Sequence, residues 1–267
     1  MGWLLLLRLL WLDIKLQFLR LHLKLPRYDI LLAAIINSNS FQVGAGIQIS
    51  PNSSRLLQRW GVAPKLEKDC VNPKGFILRG YKDGNVLSEV NLVPDGVKKY
   101  GYPYWHAHRA DFHKAMLERA LELGVIVHIN SQVTSVDFNY PPKVTVHGGK
   151  VYTADLVVGC DGLRSVCREA LVGHPDPPHE TGDIAYRILV PADQMKPHPE
   201  LAEFLESPAI NFWMGPDGHV VCYLLKGGNL YNIVLLYSPA SKLTDLCLVV
   251  LTIYHLVSTL QKEMSKK

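Results

Sequence analysis

The sequence predicts a mixed α/β (α+β) protein built in two textures, and three observations carry that expectation. The first is the stretch from Lys143 to Glu169, where Val144 and Val146 alternate, Gly148-Gly149 make a two-residue turn and Val151 opens a second strand, the pattern of a β-hairpin. It runs on into Leu156 to Val158, an apolar run expected of a strand buried on both faces. Leu163, Val166, Cys167, Ala170 and Leu171 then recur at helical spacing, so strand gives way to helix at Gly159-Cys160-Asp161-Gly162. The second observation is a helical pattern from Phe112 to Leu123, followed by Val125 to Ile129, which predicts a buried strand. The third is a set of strand-like runs, Ile210 to Met214, Val220 to Leu225 and Leu230 to Tyr237, joined by Pro216-Asp217-Gly218 and Lys226-Gly227-Gly228-Asn229. These predict an antiparallel sheet.

Taken in order, residues 1–40 form a divergent leucine-rich segment. Arg8, Asp13, Lys15 and Arg20 break it too often to span a bilayer comfortably, and it has neither the basic start nor the small-residue cleavage site of a signal peptide. It reads as a poorly specified helix or as a basic amphipathic helix lying on a membrane or a partner. Val43 to Ile49 is a Gly-bearing apolar segment, and Ser50-Pro51 offers an N-cap and a first helical residue. Leu56, Leu57 and Trp60 supply that helix's apolar face, and Gly61 closes it. Residues 64–104 read as a loop-rich insertion with strand-like pieces, Gly75 to Arg79 and Asn85 to Val90. Asp111 is expected to cap the next helix, and Gly124 to stop it. Leu246 to Leu260 is apolar but short for a span, which predicts a packed or interfacial helix. The division expected is 1–40, 41–175, 176–240 and a divergent apolar helix over 241–267.

The chain of 267 residues is long enough to bury one large core or two small ones. Its apolar content of 48% and charged content of 19% argue against disorder. A net charge of +4, spread along the chain without aromatic-interleaved basic stripes, gives no sign of nucleic-acid binding. The five cysteines are odd in number and widely spaced, which fits buried thiols in a reducing compartment. His106 and His108 alternate on a strand, but a third metal ligand at sensible spacing is missing, so no metal is expected.

Four side chains carry candidate chemistry. Asp161, on a strand-to-helix turn between glycines, suits the hydroxyl and phosphate groups of a nucleotide, or else is an N-cap. Arg109 is either a solvated charge or a fixed cation for a phosphate or a ring edge. Arg187, in mid-strand, is costly to bury without an anionic partner. Tyr223 shares that interest less strongly, because a sheet tyrosine is usually packing.

From about Phe41 to Tyr237 the chain resembles the FAD-dependent aromatic hydroxylases of the salicylate hydroxylase type, especially the fungal monooxygenases of secondary metabolism. The motifs are VGAGIQISPNSSRLLQRWGV (Val43 to Val62), HRADFHKAMLERALELGV (His108 to Val125), ADLVVGCDGLRSVCRE (Ala154 to Glu169), GDIAYR ending in Arg187, and GHVVCYLLKGG containing Tyr223. The resemblance implies an incomplete Rossmann-like FAD-binding domain over 41–175, interleaved with an antiparallel β-sheet substrate domain over 176–240. It implies that Ala45 and Gly46 lie where the backbone approaches the flavin, that Arg109 reaches the FAD, and that Asp161 serves FAD and NAD(P)H binding. It implies, finally, that Arg187 and Tyr223 hold and polarise a phenolic substrate, hydroxylated with NAD(P)H and O2. A small aromatic substrate and a cytoplasmic enzyme follow, with membrane association through the apolar termini as the alternative.

Two departures from the family pattern set a further expectation. The window from Asp13 to Gln42, where a G-x-G-x-x-G turn is due, contains no glycine, and a late Gly-Asp motif is due beyond Tyr237. Any Cβ in the Gly-rich turn would obstruct the pyrophosphate. The sequence therefore reads as truncated at both ends, with weak or absent FAD binding, and an inactive remnant of the fold is the alternative to an active monooxygenase.

Overall fold

The computed structural model describes residues 30–33, 44–216 and 218–238. Apart from residues 30–33, which form a strand, the leucine-rich segment 1–40 lies outside them, as do Cys247 and the expected apolar C-terminal helix. By contacts the chain divides into two compact units, each drawn from two stretches: 30–33 with 113–179, and 44–112 with 180–238.

In the first unit, strand β1 (Ile30–Ala33) pairs in parallel with β9 (Leu156–Gly159). Beside them β6 (Val133–Asp137), β7 (Lys143–Val146) and β8 (Val151–Thr153) form an antiparallel meander. The β7–β8 turn is the predicted one: Gly148 and Gly149 take φ of 89° and 80°, values open to glycine at no steric cost. Val133, Val144 and Val146 are buried together, with Tyr152, Val157, Val166 and Cys167 packed on them. Two expectations are corrected here. Val125 to Ile129 forms no strand, and Ile126 is 80% exposed, because that run finds no ladder partner among the described residues. Leu156 is 44% exposed rather than buried on both faces, since β9 has only β1 beside it among the described strands.

The second unit is built on a six-stranded sheet in the order β10-β13-β12-β11-β3-β4. Its strands are β3 (Gly75–Gly80), β4 (Val86–Asn91), β10 (Ile184–Pro191), β11 (Ile210–Met214), β12 (Gly218–Leu225) and β13 (Leu230–Tyr237). The late strands are antiparallel as expected, but β11 also pairs in parallel with β3, so the sheet is mixed. Strand alternation gives it two faces. One carries Val190, Trp213, Val220, Cys222, Leu224, Tyr231 and Ile233, and Met195, Leu201, Phe204 and Leu205 cover it. On this face Arg79 lies over the rings of Phe204 and Trp213, 5.6 and 5.8 Å from their centroids, and donates to Asn211 Oδ1 at 3.1 Å and Glu203 Oε1 at 2.5 Å. The other face carries Ile210, Val221, Tyr223 and Leu225, packed with Phe76, Tyr104, Leu189 and Phe212.

A two-stranded pair, β2 (Gly46–Ile49) with β5 (Trp105–His108), belongs to the same unit. Helix α1 (Pro51–Arg59) follows β2 with Pro51 at its first position and is closed by Gly61 at φ 73°. Helix α2 (Arg109–Glu122) follows β5 without a loop. It therefore starts at Arg109, two residues before the expected cap: Asp111 sits in the first turn. Its carboxylate pairs with Lys226 Nζ at 2.5 and 2.6 Å, where a negative charge also suits the helix's positive end. Gly124 ends the helical run at φ 84°, as predicted.

Candidate functional site

The candidate site in the second unit is assembled by register. Tyr223 on β12 lies opposite Asn232 on β13, which lies opposite Leu189 on β10. Arg187 is two residues from Leu189, so it stands on the same face of the sheet as Tyr223. It is exposed, on a strand with no further neighbour among the described strands, which corrects the expectation of a buried cation; a solvated guanidinium at a sheet edge needs no anionic partner. Its charge is still felt at Tyr223, where it favours the ionised phenol.

Tyr223 itself is 4% exposed. Its ring and hydroxyl occupy the space that a side chain on Gly46 would fill: a Cβ there would lie 2.5 Å from both Cε2 and the hydroxyl oxygen. The Gly46 N–H donates to Asn232 Oδ1 at 3.0 Å, tying β2 to β13. Next to it the Arg109 N–H donates to the Ala45 carbonyl at 3.0 Å, and a Cβ on Gly44 would meet the Arg109 Cβ at 3.0 Å. Ala45, Gly46, Arg109, Arg187 and Tyr223 thus fall in one unit.

Three further groups complete the cluster. His106, fully buried on β5, packs its ring against Tyr223, centroids 4.4 Å apart and planes tilted by 41°. Tyr104 meets His106 edge-on at 6.0 Å and donates its hydroxyl to Gln48 Oε1 at 2.7 Å. Burial pushes the Tyr223 phenol up to about 12, with Tyr104 adding to the rise and Arg187 and the Gln48 side chain opposing it. Burial likewise pushes Tyr104 up to about 12. It depresses His106 to about 3, so the imidazole is neutral near pH 7. The Leu224 backbone is the one group favouring its charged form, yet neither ring nitrogen makes a hydrogen bond of good geometry among the described residues.

A pH dependence follows. The unfolded chain takes up a proton at His106 near its ordinary 6.5, whereas the folded chain does not until about 3. Stability is therefore expected to fall as pH drops through that window, and His106→Phe to flatten the acid limb of a plot of Tm against pH.

Asp161 belongs to the other unit and is 6% exposed. After a single 3-10 turn (Gly162–Arg164), helix α3 (Val166–Val172) starts with Ser165 as its cap, the Ser165 Oγ accepting the Arg168 N–H at 2.9 Å. Asp161 accepts from Ser165 Oγ at 2.6 Å and from the Cys167 N–H at 3.0 Å. Burial alone would raise its pKa, but these hydrogen bonds outweigh that and hold it below the usual carboxylate value. The geometry thus gives Asp161 a place in the start of the helix. Asp161→Ala is expected to cost about 1–3 kcal/mol in denaturant unfolding by orphaning the Ser165 hydroxyl and the Cys167 N–H. The difference should be present above the ordinary carboxylate pKa and fade as pH falls through the lower folded value.

As a holder of a flavin cofactor, Arg109 fits: it is exposed, makes no side-chain hydrogen bond or ion pair among the described residues, and is fixed by its own N–H to Ala45. Gly46 fits less directly, since its N–H is taken by Asn232 and its open side by Tyr223. Gln48, Tyr104, His106 and Asn232 were not singled out from sequence for this site. The available signals were a glutamine inside GIQI and an asparagine in the middle of the apolar run LYNIVLLY.

No protein-family profile matches the chain. Among characterised proteins it is 40% identical over 199 residues to an FAD-dependent monooxygenase, OpS4, of Beauveria bassiana, a match covering 73% of this chain and 46% of that one. It is 31% identical over 198 residues to the 3-hydroxybenzoate 6-hydroxylase of Polaromonas naphthalenivorans, covering 73% of this chain and 48% of that one. Among solved structures, a salicylate hydroxylase in complex with substrate superposes with a TM-score of 0.59 at 26% identity, covering 74% of this chain and 49% of that one. CtdE in complex with FAD and substrate superposes with a TM-score of 0.69 at 16% identity, covering 81% of this chain and 58% of that one, which speaks to the fold alone. The chain is thus similar in sequence to FAD-dependent monooxygenases. Among them, it is a relative of the aromatic hydroxylases with the salicylate hydroxylase-like fold, and it spans about half the length of the characterised relatives it matches.

Proposed function

We propose that this protein is an FAD-dependent monooxygenase that hydroxylates a phenolic or related small aromatic substrate with NAD(P)H and O2. One observation carries the reading: Arg187 and Tyr223 share a face of the sheet, with Tyr223 held by Gly46, beside the Ala45–Arg109 link. When bound, reduced FAD together with O2 supplies the electrophilic oxygen; one oxygen atom enters the ring and the other leaves as water. Arg109 would hold the FAD, and Ala45 and Gly46 would pass close to it. Arg187, a permanent cation, binds the substrate oxygen and favours its phenolate form, which makes the ring a better nucleophile. Tyr223, kept protonated by its surroundings, donates a hydrogen bond to the same oxygen. Asp161 supports FAD and NAD(P)H binding through the turn that it orders.

Relatives acting on hydroxybenzoates and on 6-hydroxynicotinate favour a substrate ring bearing a hydroxyl and a carboxylate. The four described cysteines carry no disulfide, in keeping with a cytoplasmic setting. No described helix is long and apolar enough to cross a membrane; the apolar termini on which the membrane alternative rests lie outside the described residues.

The test is the visible spectrum of the chain after incubation with FAD and gel filtration, followed by NADPH and NADH oxidation with a panel of hydroxybenzoates. A retained flavin and substrate-stimulated oxidation yielding a hydroxylated product are expected. A chain that retains flavin but yields no hydroxylated product, or that retains none, would overturn the proposal.

A further inference from the structure

We propose that His106 is the positioning residue for Tyr223: its imidazole ring, packed on the phenol ring, fixes where the Tyr223 hydroxyl lies over Gly46. The inference rests on the reading of Tyr223 as a substrate-facing hydroxyl and adds the group that holds it there. Two observations carry it. The ring contact is close, 4.4 Å between centroids, and His106 is itself wedged edge-on by Tyr104, whose hydroxyl is tied to Gln48, the residue opposite His106 in the β2–β5 ladder. Tyr223 is thereby bounded along its ring by His106 and at its hydroxyl end by Gly46.

The second observation is what the imidazole does not do. Its nitrogens make no hydrogen bond of good geometry among the described residues, although the ring is fully buried. Burying a ring whose polar partner, the Leu224 backbone, is poorly aligned is unfavourable, so its contribution comes through the ring's flat shape. Because the ring stays neutral, it adds no charge beside the phenol. The groups that bear on Tyr223's ionisation are Tyr104 and Cys222, which oppose it, and Arg187 and Gln48, which favour it.

The experiment compares His106→Ala and His106→Phe in the full chain, each with and without Tyr223→Phe. The near-ultraviolet tyrosinate absorbance is titrated, and the Tyr223 signal is taken as the difference within each pair. In His106→Ala, water entering beside the phenol should let Tyr223 ionise at lower pH than in the parent. kcat should fall about 10²-fold while retention of FAD is unchanged, because a displacement of about 1 Å at a positioning contact has effects of that size. His106→Phe, which keeps a flat ring, should restore both the parental titration and kcat to within about threefold. An unchanged Tyr223 titration in His106→Ala, or a His106→Phe chain no better than His106→Ala, would overturn the inference. Where His106→Ala loses the fold, His106→Val carries the same comparison. The titration needs no flavin, so it decides the coupling separately from turnover; full turnover in Tyr223→Phe alone would instead remove Tyr223 from the reaction.

Discussion

Arg187→Met is expected to slow hydroxylation of a phenolic substrate by about 10²- to 10³-fold, the size of effect seen when one preorganised donor to an oxyanion is removed, here because less of the bound substrate is phenolate. Because Arg187 is exposed on the edge strand β10, the substitution should leave unfolding free energy within about 0.5 kcal/mol of the parent. That separation makes the test clean, since a loss of rate cannot then be ascribed to a loss of fold. Arg187→Lys keeps the charge but not the planar fork, and should recover part of the rate. The profile of kcat against pH should also change. Without the cation the substrate phenol ionises at higher pH, so the alkaline part of the profile should recover rate relative to neutral pH. Steady-state kinetics with a substrate of known phenol pKa decides the point; a kcat unchanged by Arg187→Met would remove the residue from the reaction.

Gly46→Ala should be damaging for a different reason. The new methyl would sit 2.5 Å from the Tyr223 ring and hydroxyl, and neither side can yield easily. Gly46 is held in the β2–β5 ladder and by its N–H to Asn232, while Tyr223 is packed against His106. Overpacking of this kind costs about 1–3 kcal/mol, and the forced movement of Tyr223 should lower kcat about 10²-fold. The double variant Gly46→Ala with Tyr223→Ala removes the clash. Its loss of stability should be smaller than the sum of the two single losses, while its activity should not return. Additive losses in stability would show that the two residues are not in contact in the working protein.

Local structure was largely legible in the residues. The Gly148-Gly149 turn, the Gly61 and Gly124 helix ends and the strands over 210–237 all rest on interactions within a few residues. There, backbone sterics and side-chain alternation are decided by the local sequence itself. The candidate residues Ala45, Gly46, Arg109, Arg187 and Tyr223 were legible through the family motifs, and Asp161 through its turn. Their surroundings were not. Ser165 took the capping place that Asp161 had been offered, because a 3-10 turn intervenes between the aspartate and the helix.

What the sequence determined by itself was the mixed α/β class, the position of most helix stops and hairpin turns, and the motif-bearing residues. Tertiary structure alone decided that β3 pairs in parallel with β11, that Val125 to Ile129 lacks a ladder, that Arg187 stands at an exposed edge, and that Tyr223 lies on Gly46 against His106. The physical reason is range. A turn or cap is an energy minimum of a few neighbouring residues, whereas strand order, burial and ring contacts join residues far apart in the chain. The Gly46–Asn232 hydrogen bond, for example, spans 186 positions, and no local pattern encodes which distant partner will fill the space that a glycine leaves.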